Sequence, residues 1–374
     1  MKRSAREKPA LIGRTGGMIT PVFLRFGLGC DMGEVLPVPK GGQRISLVTD
    51  SIVWKLHGRK VSRGLTAFGW KVDTFKLAPG ERIKSARVVS HLHDQWFRLG
   101  YDRSNPVIAL GGGTIGDGVG FAAATFLRGL PLWHVPTTIV GQVDSSIGGK
   151  VGINHARGKN LIGCFYQPSG VVIDAAFLAT LPVREIRSGL AEVIKYGIIS
   201  DPALFGHCEK QVPGWISGSS PLDHSTLKKC AAIKLEVVES DERDTGNRHI
   251  LNFGHTLGHA YEAWGRFKTF KHGEAVTLGM VSASRIAERR RMITGKDFDR
   301  ILALCRLIAP SQRTVRFDAD DVIPYLASDK KRTLGQNAWV LPTGIGRVRI
   351  VRDVADKEVR DAIKFVREWV MESE

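Results

Sequence analysis

Short apolar runs alternate with helix-like segments through the first half of the chain. The runs lie at residues 45–48, 107–110, 132–135 and 171–173, and glycine or proline residues punctuate the segments between them. Short buried strands that alternate with helices are typical of a parallel sheet covered by helices. The pattern from about residue 22 to residue 174 therefore predicts an α/β domain with a Rossmann-like parallel sheet, with residues 22–29 as a candidate opening strand.

After residue 182 the strand-like runs nearly vanish and long amphipathic segments replace them. Segments with helical spacing lie at residues 185–200, 224–240, 250–264, 273–292, 297–308 and 356–371. One short hairpin is predicted near residues 338–351. The chain is therefore predicted to contain an α/β domain over residues 1–182, with residues 1–20 as a candidate loose basic extension, and a mostly α-helical domain over residues 183–374.

The composition fits an enzyme-sized globular protein. With 374 residues, 43% of them hydrophobic, the chain can bury substantial cores. No window approaches the run of about 18 apolar residues that a membrane span requires, and the first residues lack the apolar core of a signal peptide. A cytoplasmic location is therefore expected. Five widely spaced cysteines without a C-x-x-C pair are expected to be reduced packing residues.

The formal net charge of +17 makes nucleic acid a partner to consider, because basic chains attract polyanions. The basic residues, however, are spread from Lys2 to Arg367 and accompany no recognisable nucleic-acid module. Nucleic-acid binding is therefore not favoured, and most of these residues are expected to be solvated surface.

A glycine motif follows the apolar run at residues 106–110. The sequence GGGTIGDGVGF contains the order G-x-G-x-x-G. Glycines between a strand and a helix let backbone N–H groups approach a pyrophosphate, although a plain glycine-rich turn has the same pattern. The acidic residue expected about 20 positions later is missing, because the next strand runs into a Pro-Thr-Thr sequence. Asp50 and Glu81 are therefore alternative partners for a ribose.

Polar residues recur at helical spacing in the sequence RHILNFGHTLGHAYE. The residues at i, i+4, i+7 and i+11 are Arg248, Asn252, His255 and His259. On one continuous helix they would share a stripe, and a solvated polar face is the plain alternative. His272 adds a third imidazole near the start of the next helical segment. Three imidazoles with a carboxylate to join them favour a metal site.

Glu192 is the candidate carboxylate, because it lies in the otherwise apolar segment SGLAEVIKYGI, where an unpaired charge would be costly. Lys195 shares its helical face, and an ordinary surface salt bridge between the two is the alternative. One Glu and two His ligands leave an open coordination position, which is typical of a catalytic rather than a structural zinc site.

The glycine-rich stretch VDSSIGGKVGINHARGKN carries four more polar residues of interest, which are Asp144, Lys150, Lys159 and Asn160. Cations on glycine-rich backbone suit phosphate or carboxylate recognition, although surface loops are also commonly basic. The stretch is therefore a candidate anion-binding segment.

Together these motifs resemble those of the 3-dehydroquinate synthases, within the sugar phosphate cyclase family. The resemblance runs from about Leu47 to a basic pair near Lys331 and is dense between Gly111 and Glu274. The matching blocks, in order, are PGERIKS, GGGTIGD, GFAAATFLRG, VPTT, QVDSSIGGK, NHARGKNLIGCFYQP, FLATLP, SGLAEVIKYGI, DERDTG, NFGHTLGHA and HGEAV. The resemblance implies an N-terminal NAD-binding α/β domain and a C-terminal α-helical domain that binds metal and substrate.

The resemblance also implies site residues. The metal ligands would be Glu192, His255 and His272, usually for Zn²⁺ and alternatively for Co²⁺. His259 would then face the substrate for proton transfer instead of pairing with His255. The residues implied to contact NAD⁺ are Asp50, Glu81, Lys84, Gly113, Thr114, Ile115, Gly116, Asp117, Thr137, Thr138, Lys150, Lys159, Phe177, Leu178, Ala179 and Thr180. The residues implied to contact the substrate are His259, Asp144, Lys150, Asn160, Lys195, Lys234, Arg248, Asn252, Lys330 or Lys331, and Arg128 from the neighbouring subunit of a homodimer.

The implied reaction converts 3-deoxy-D-arabino-heptulosonate 7-phosphate to 3-dehydroquinate and phosphate, in the shikimate pathway of aromatic amino acid biosynthesis. The phosphate group would be held by Lys150, Asn160 and Lys195, and the carboxylate suits Lys234 and Arg248. NAD⁺ would oxidise a substrate hydroxyl held on the metal, phosphate would be eliminated, and the same NADH would return the hydride. The resemblance therefore implies a phosphate-eliminating lyase with no net redox change.

Three alternatives remain open from the sequence. A sedoheptulose 7-phosphate cyclase or a 2-deoxy-scyllo-inosose synthase would keep the fold, but its substrate has no carboxylate for Arg248 and Lys234. A metal-dependent alcohol or glycerol dehydrogenase would share the two-domain plan and would turn over free NAD⁺. A nucleic-acid binder would depend on the net charge of +17.

Overall fold

The computed structural model describes residues 7–36, 43–156, 158–326 and 338–372. The chain divides into two compact units: unit 1 comprises Met1–Leu181 and Leu222–Arg243, and unit 2 comprises Pro182–Pro221 and Asp244–Glu374. A division at residue 182 alone would assign residues 222–243 to the helical unit, whereas they fold with the α/β unit. Within the described ranges, no helix is both long and apolar enough to cross a membrane.

Unit 1 contains a seven-stranded sheet. Its strands are β1 (Leu11–Thr15), β2 (Met18–Leu24), β3 (Arg44–Asp50), β4 (Lys71–Leu77), β5 (Val107–Gly111), β6 (Leu132–Pro136) and β9 (Gly170–Ile173). The strand order is β1-β2-β9-β6-β5-β3-β4, and every neighbouring pair is parallel except the β1–β2 hairpin. The predicted α/β fold with a parallel sheet is therefore confirmed, and an antiparallel hairpin extends one edge.

Alternating side chains of the central strands build a core on each face of this sheet. On β5, Val107 and Ala109 belong to one buried cluster, whereas Ile108 and Leu110 belong to the other. Successive side chains of a strand point to opposite faces, so a strand covered on both sides needs a continuous apolar run. This requirement explains why the buried strands could be predicted from the sequence.

The helices of unit 1 connect and cover these strands. They are α1 (Ser51–Val53), α2 (Arg59–Ala67), α3 (Ala86–Arg98), α4 (Gly113–Thr125) and α7 (His224–Ser240), with a π-helix at Trp54–Gly58 between α1 and α2. A separate antiparallel hairpin consists of β7 (Lys150–His155) and β8 (Gly158–Phe165). The sequence pattern did not predict this hairpin, since its glycine-rich strands lack a clear apolar alternation.

Unit 2 is mostly helical, as predicted. Its helices are α5 (Val183–Ile199), α6 (Pro202–Ser217), α8 (His255–Trp264), α9 (His272–Arg289), α10 (Gly295–Arg306), α11 (Ala319–Leu326) and α12 (Asp356–Met371), and its hairpin pairs β10 (Trp339–Gly344) with β11 (Arg347–Val351). The hydrophobic pattern missed α6 and α11. Each of these helices contains an internal proline, Pro213 and Pro324, which usually ends a helix.

The predicted continuous helix over residues 250–264 is wrong. Residues Asn247–Asn252 form a 3-10 helix, and α8 begins only at His255. Between them Gly254 has a left-handed φ of 77°. A Cβ atom at Gly254 would lie 2.6 Å from Met280 Cγ and 2.8 Å from the Val276 carbonyl oxygen, so α9 packs directly against this break. The polar residues on either side of Gly254 therefore do not share one helical stripe.

Candidate active site

One cluster of metal-ligating side chains lies within unit 2. It comprises Glu192 on α5, His255 at the start of α8 and His272 at the start of α9, and one ligand atom from each lies within 4.8 Å of the others. The Nε2 atoms of His255 and His272 lie 3.5 and 3.3 Å from Glu192 Oε1. The fold thus brings together three residues that are separated by 63 and 17 positions in the sequence.

The other ring nitrogen of each histidine has a hydrogen-bond acceptor. His255 Nδ1 lies 3.0 Å from the Phe253 carbonyl oxygen, and His272 Nδ1 lies 3.2 Å from Glu262 Oε2. With Nδ1 bonded in this way, the Nε2 atom of each ring faces Glu192, and a metal ion would bind at Nε2 in place of its proton. Glu262 was not among the residues predicted from the sequence. Glu262 lies two helical turns after His255 on α8, and this spacing could have indicated that it faces the same side of the helix.

This donor set fits a metal ion such as Zn²⁺. Two imidazole nitrogens and one carboxylate oxygen are ligands of catalytic zinc sites. Burial opposes protonation of His272, but its hydrogen bonds to Glu192 and Glu262 outweigh that effect and raise its pKa to about 10. The surrounding carboxylates therefore favour a positive charge at this point, which a bound metal ion would also supply.

Other predicted residues of unit 2 lie beside this cluster or on an element that packs near α5. The His259 ring centroid lies 5.5 Å from that of His255 and 6.5 Å from that of His272, close to the cluster but outside its donor set. The Lys195 ammonium is almost completely buried and forms an ion pair with Glu192. Two further predicted substrate residues, the buried Arg248 and the half-buried Asn252, belong to the 3-10 helix that packs near α5.

The glycine motif of unit 1 forms the turn between β5 and α4. A small cavity borders this turn, between the glycines and residues His134 and Ser145. A Cβ atom at Gly113 would lie 3.0 Å from Ser145 Oγ, so a larger side chain would intrude on this space. The N-cap residue of α4 is Gly112, which has no side chain to cap the first turn. The N–H groups of this turn and the narrow glycine surface therefore fit a pyrophosphate.

Three predicted cofactor residues lie in or next to the same turn. Ile115 is buried in the core, Thr137 donates its N–H to the Gly111 carbonyl, and Thr138 Oγ1 accepts the Gly141 N–H at 3.1 Å. The residues of the segment 177–180 differ in exposure. Phe177 and Leu178 are buried, whereas Ala179 and Thr180 are exposed. Thr180 Oγ1 lies 2.8 Å from Nε2 of His57, which was not predicted from the sequence.

Both candidate ribose carboxylates already have partners within unit 1. Asp50 Oδ1 accepts the Ile52 and Val53 N–H groups at 2.8 and 2.9 Å and so caps α1. Glu81 accepts a hydrogen bond from Asn154 at 2.9 Å and lies 3.4 Å from the Lys159 ammonium. Because both carboxylates have such partners, these contacts do not distinguish between them, and Asp50 and Glu81 both remain candidate partners for the ribose.

Lys84 joins predicted cofactor and substrate residues in one network. Its buried ammonium lies 2.5 Å from Asp117 Oδ2 and also contacts Asn160 Oδ1. Burial raises the pKa of Asp117, and the Lys84 ammonium opposes that shift. Asn160 has a left-handed φ of 54° and donates its N–H to Asn154 Oδ1 at 3.0 Å. The hairpin strand β8 thus carries part of the predicted site.

A second buried lysine joins α7 to the segment that contains Asp144. Lys234 Nζ lies 2.7 Å from Asp144 Oδ1 and also donates to the Asp144 carbonyl oxygen. Lys150, at the start of β7, is exposed, and Arg128 is exposed in a turn where its φ is 66°. The predicted basic pair Lys330 and Lys331 lies outside the described residues.

The chain matches two family models in succession. Residues 74–188 match the model described as 3-dehydroquinate synthase N-terminal, and residues 189–332 match the model described as 3-dehydroquinate synthase C-terminal. The chain is 42% identical over 345 residues to a 3-dehydroquinate synthase of Desulforamulus reducens. The aligned residues cover 92% of this chain and 96% of that protein. It is 44% identical over 311 residues to a 3-dehydroquinate synthase of Geobacter metallireducens, covering 83% and 86%.

A solved structure supports the same fold. The 2-epi-5-epi-valiolone synthase of Streptomyces hygroscopicus, with NAD⁺ and Zn²⁺ bound, matches this structure with a TM-score of 0.86. The two chains are 27% identical, and the match covers 96% of this chain and 99% of that one.

Proposed function

This chain belongs to the 3-dehydroquinate synthase family, and we infer from that membership that it converts 3-deoxy-D-arabino-heptulosonate 7-phosphate to 3-dehydroquinate and phosphate. It is then a phosphate-eliminating lyase of the shikimate pathway. The observation that carries the proposal is the cluster of Glu192, His255 and His272 in a chain that is 42% identical to a named synthase. The identity to the valiolone synthase is lower, at 27%.

The proposed cofactors are NAD⁺ and a divalent metal ion, Zn²⁺ or Co²⁺. When bound, NAD⁺ supplies reversible hydride transfer and the metal ion supplies Lewis acidity toward a substrate oxygen. Glu192, His255 and His272 would hold the metal ion. The glycine turn at Gly113 and the uncapped N-terminus of α4 would hold the pyrophosphate of NAD⁺.

Several residues would bind the two anionic groups of the substrate. Lys150, Asn160 and Lys195 are proposed for the phosphate group, and Lys234 and Arg248 are proposed for the carboxylate. Charge-assisted hydrogen bonds from such groups are stronger than neutral ones and fix orientation. His259, whose ring lies 5.5 Å from that of His255, is proposed to move a proton to or from the substrate.

The proposal includes a homodimer in the cytoplasm. Arg128 is exposed in a turn of left-handed residues, and the Arg103 side chain donates a hydrogen bond to the Leu127 carbonyl oxygen at 2.8 Å within that turn. A fixed turn that presents an exposed guanidinium suits a contact with the substrate site of a second chain.

Phosphate release tests the proposed function directly. The purified protein is incubated with 3-deoxy-D-arabino-heptulosonate 7-phosphate, NAD⁺ and Zn²⁺, and free phosphate and NADH absorbance are followed together. We expect phosphate release without net NADH accumulation, loss of release with a chelator, and recovery when Zn²⁺ is added back. Net NADH formation from an alcohol without phosphate release would support the dehydrogenase alternative. Faster turnover of sedoheptulose 7-phosphate would support the carboxylate-free cyclases.

A further inference from the structure

Three side chains of α5 lie about one helical turn apart along one face of the helix. They are Arg184, Ser188 and Glu192, at positions i, i+4 and i+8. Each of them contacts a different one of the first three residues of α9, in reverse order. The three contacts, called the α5–α9 ladder below, are Glu192 with His272, Ser188 with Gly273 and Arg184 with Glu274.

The middle contact of the ladder brings the two main chains together. Ser188 Oγ accepts the Gly273 N–H at 3.0 Å. A Cβ atom at Gly273 would lie 1.8 Å from the Ser188 carbonyl oxygen, so only glycine allows the start of α9 to approach α5 this closely. One contact point fixes the distance between the two helices, but it does not fix the direction in which the first turn of α9 points.

The contact between Arg184 and Glu274 fixes that direction. Arg184 Nε and Nη2 donate to the two carboxylate oxygens of Glu274 at 2.6 and 2.7 Å, a bidentate geometry that suits the planar guanidinium. Arg184 Nη2 also donates to the Thr269 carbonyl oxygen at 3.0 Å. Glu274 Oε2 in turn accepts the Lys271 N–H at 2.8 Å. One arginine therefore ties the first turn of α9, and the segment directly before it, to the start of α5.

His272 lies at a helix end and so depends on such restraints. It is the first residue of α9, and helix ends fray because their first N–H groups have no partner within the helix. A metal site, however, needs its ligands held within about 0.5 Å of their productive positions. The hydrogen bond to Glu262 orients the imidazole ring, whereas the ladder places the backbone that carries it. The distance between His272 and Glu192 is therefore set by the two neighbouring contacts.

Burial makes the Glu274 carboxylate dependent on Arg184. Glu274 is only 6% exposed, whereas the Arg184 side chain is 51% exposed. A buried carboxylate is costly unless it is paired, so loss of the guanidinium would favour a rotation of Glu274 toward water. That rotation would withdraw the acceptor from the Lys271 N–H and loosen the turn that carries His272. An exposed arginine thus acts on the metal site through a buried partner.

We propose that Arg184 is a positioning residue of the metal site, which acts through Glu274 to hold His272 at the distance from Glu192 that a divalent metal ion requires. Arg184 lies two helical turns before Glu192 and stands outside the ligand set. The inference rests on the proposed function, because Glu192, His255 and His272 are the metal ligands of that function.

The test measures Zn²⁺ affinity and fold stability separately in Arg184→Met, Arg184→Lys and a matched control. Arg300→Met is the control, because Arg300 donates to both carboxylate oxygens of Glu209 at 2.9 and 2.7 Å. That pair joins α10 to α6, which carry none of the three proposed ligands. Competition with a chromogenic chelator gives the Zn²⁺ dissociation constant, and urea unfolding of the metal-free protein gives the stability.

The three variants should separate positioning from stability. We expect Arg184→Met to raise the Zn²⁺ dissociation constant roughly tenfold, as loss of an outer partner of a ligand does. Arg184→Lys keeps the charge but not the bidentate geometry, so its dissociation constant should rise about threefold. Arg300→Met should change it less than about twofold at an equal or greater loss of stability. With Co²⁺ at saturation, the visible absorption bands should differ from wild type in Arg184→Met alone, because they report the geometry of the ligands.

A Zn²⁺ affinity of Arg184→Met close to that of wild type would overturn the inference. So would an equal loss of affinity in Arg300→Met, since general destabilisation would then account for both. If Arg184→Met does not fold, Arg184→Lys decides, and a wild-type affinity in that variant would overturn the inference. A wild-type protein that binds no Zn²⁺ would overturn the proposed metal site and this inference with it. Zn²⁺ binding that depends on Arg184 without phosphate release would overturn the reaction and leave the positioning role in place.

Discussion

The Nδ1 atom of His272 lies 3.2 Å from the carboxylate of Glu262. This hydrogen bond turns the opposite nitrogen of the same ring toward Glu192, at 3.3 Å. Glu262 therefore orients a predicted metal ligand without belonging to the ligand set. Carboxylates that act on a ligating histidine in this way also raise its basicity.

Replacing Glu262 by glutamine should weaken metal binding. The substitution keeps the side-chain volume but removes the charge that orients and polarises His272, so metal affinity should fall by roughly 10- to 100-fold. Competition with a chromogenic chelator measures the affinity for Zn²⁺. Glu236→Gln, at an exposed position of α7, is the matched control and should leave the affinity unchanged. An affinity within threefold of wild type in Glu262→Gln would show that Glu262 does not orient the ligand.

Glu192→Gln should remove the metal and destabilise the fold together. Glu192 and Lys195 are both buried and form an ion pair, so loss of the carboxylate leaves a buried ammonium, at a cost of about 3–5 kcal/mol. The double variant Glu192→Gln/Lys195→Met should regain much of the stability without regaining the metal. Urea unfolding and metal analysis of the dialysed proteins measure the two effects. Full metal content in Glu192→Gln would remove Glu192 from the ligand set.

Arg248→Ala should impair substrate use and spare NAD⁺ binding. Its buried guanidinium is assigned to the substrate carboxylate, and truncating one partner of a buried charged pair costs enough to lower kcat/KM by roughly 100-fold or more. The NAD⁺ dissociation constant, measured by calorimetry, should stay within twofold of wild type. Equal losses in both quantities would contradict the assignment and point to a general structural role.

Gly113→Ala should weaken NAD⁺ binding. The added methyl group would lie 3.0 Å from Ser145 Oγ, inside the narrow space that fits the pyrophosphate. We expect the NAD⁺ dissociation constant to rise about tenfold, or about 1.4 kcal/mol. Gly206→Ala in α6 is the control, because its Cβ would meet only Glu209 Oε2, at 4.0 Å. Unchanged NAD⁺ binding in Gly113→Ala would separate this glycine from the cofactor site.

His134 should make the protein less stable in acid. Burial lowers the pKa of His134 to about 4, below the value of about 6.5 in an unfolded chain. The unfolded state therefore binds the extra proton first, and the stability that neutral His134 contributes is present above pH 6.5 and is lost as the pH falls toward 4. This linkage amounts to about 3 kcal/mol. Urea unfolding of wild type and His134→Gln at several pH values should show a shallower decline in the variant, and parallel curves would contradict the linkage.

Much of the fold was predictable because its signals are local. The central strands are buried on both faces and so carry continuous apolar runs, and the glycines between β5 and α4 mark a turn that needs small residues. Helix α6 was missed because Pro213 interrupts its pattern. The break at Gly254 was missed because it depends on the close approach of α9. The spacing of residues along the chain gives no information about that contact.

The α/β and helical halves, the glycine turn and the family were evident from the amino-acid sequence, since these depend on periodicity and on ordered motifs. Which polar groups meet depended instead on how the chain folds. Within unit 1, Lys234 on α7 pairs with Asp144, which lies 90 residues earlier in the chain, and within unit 2 Glu262 on α8 contacts His272 on α9. Such contacts depend on how distant segments pack, and side-chain spacing within one segment holds no record of that packing.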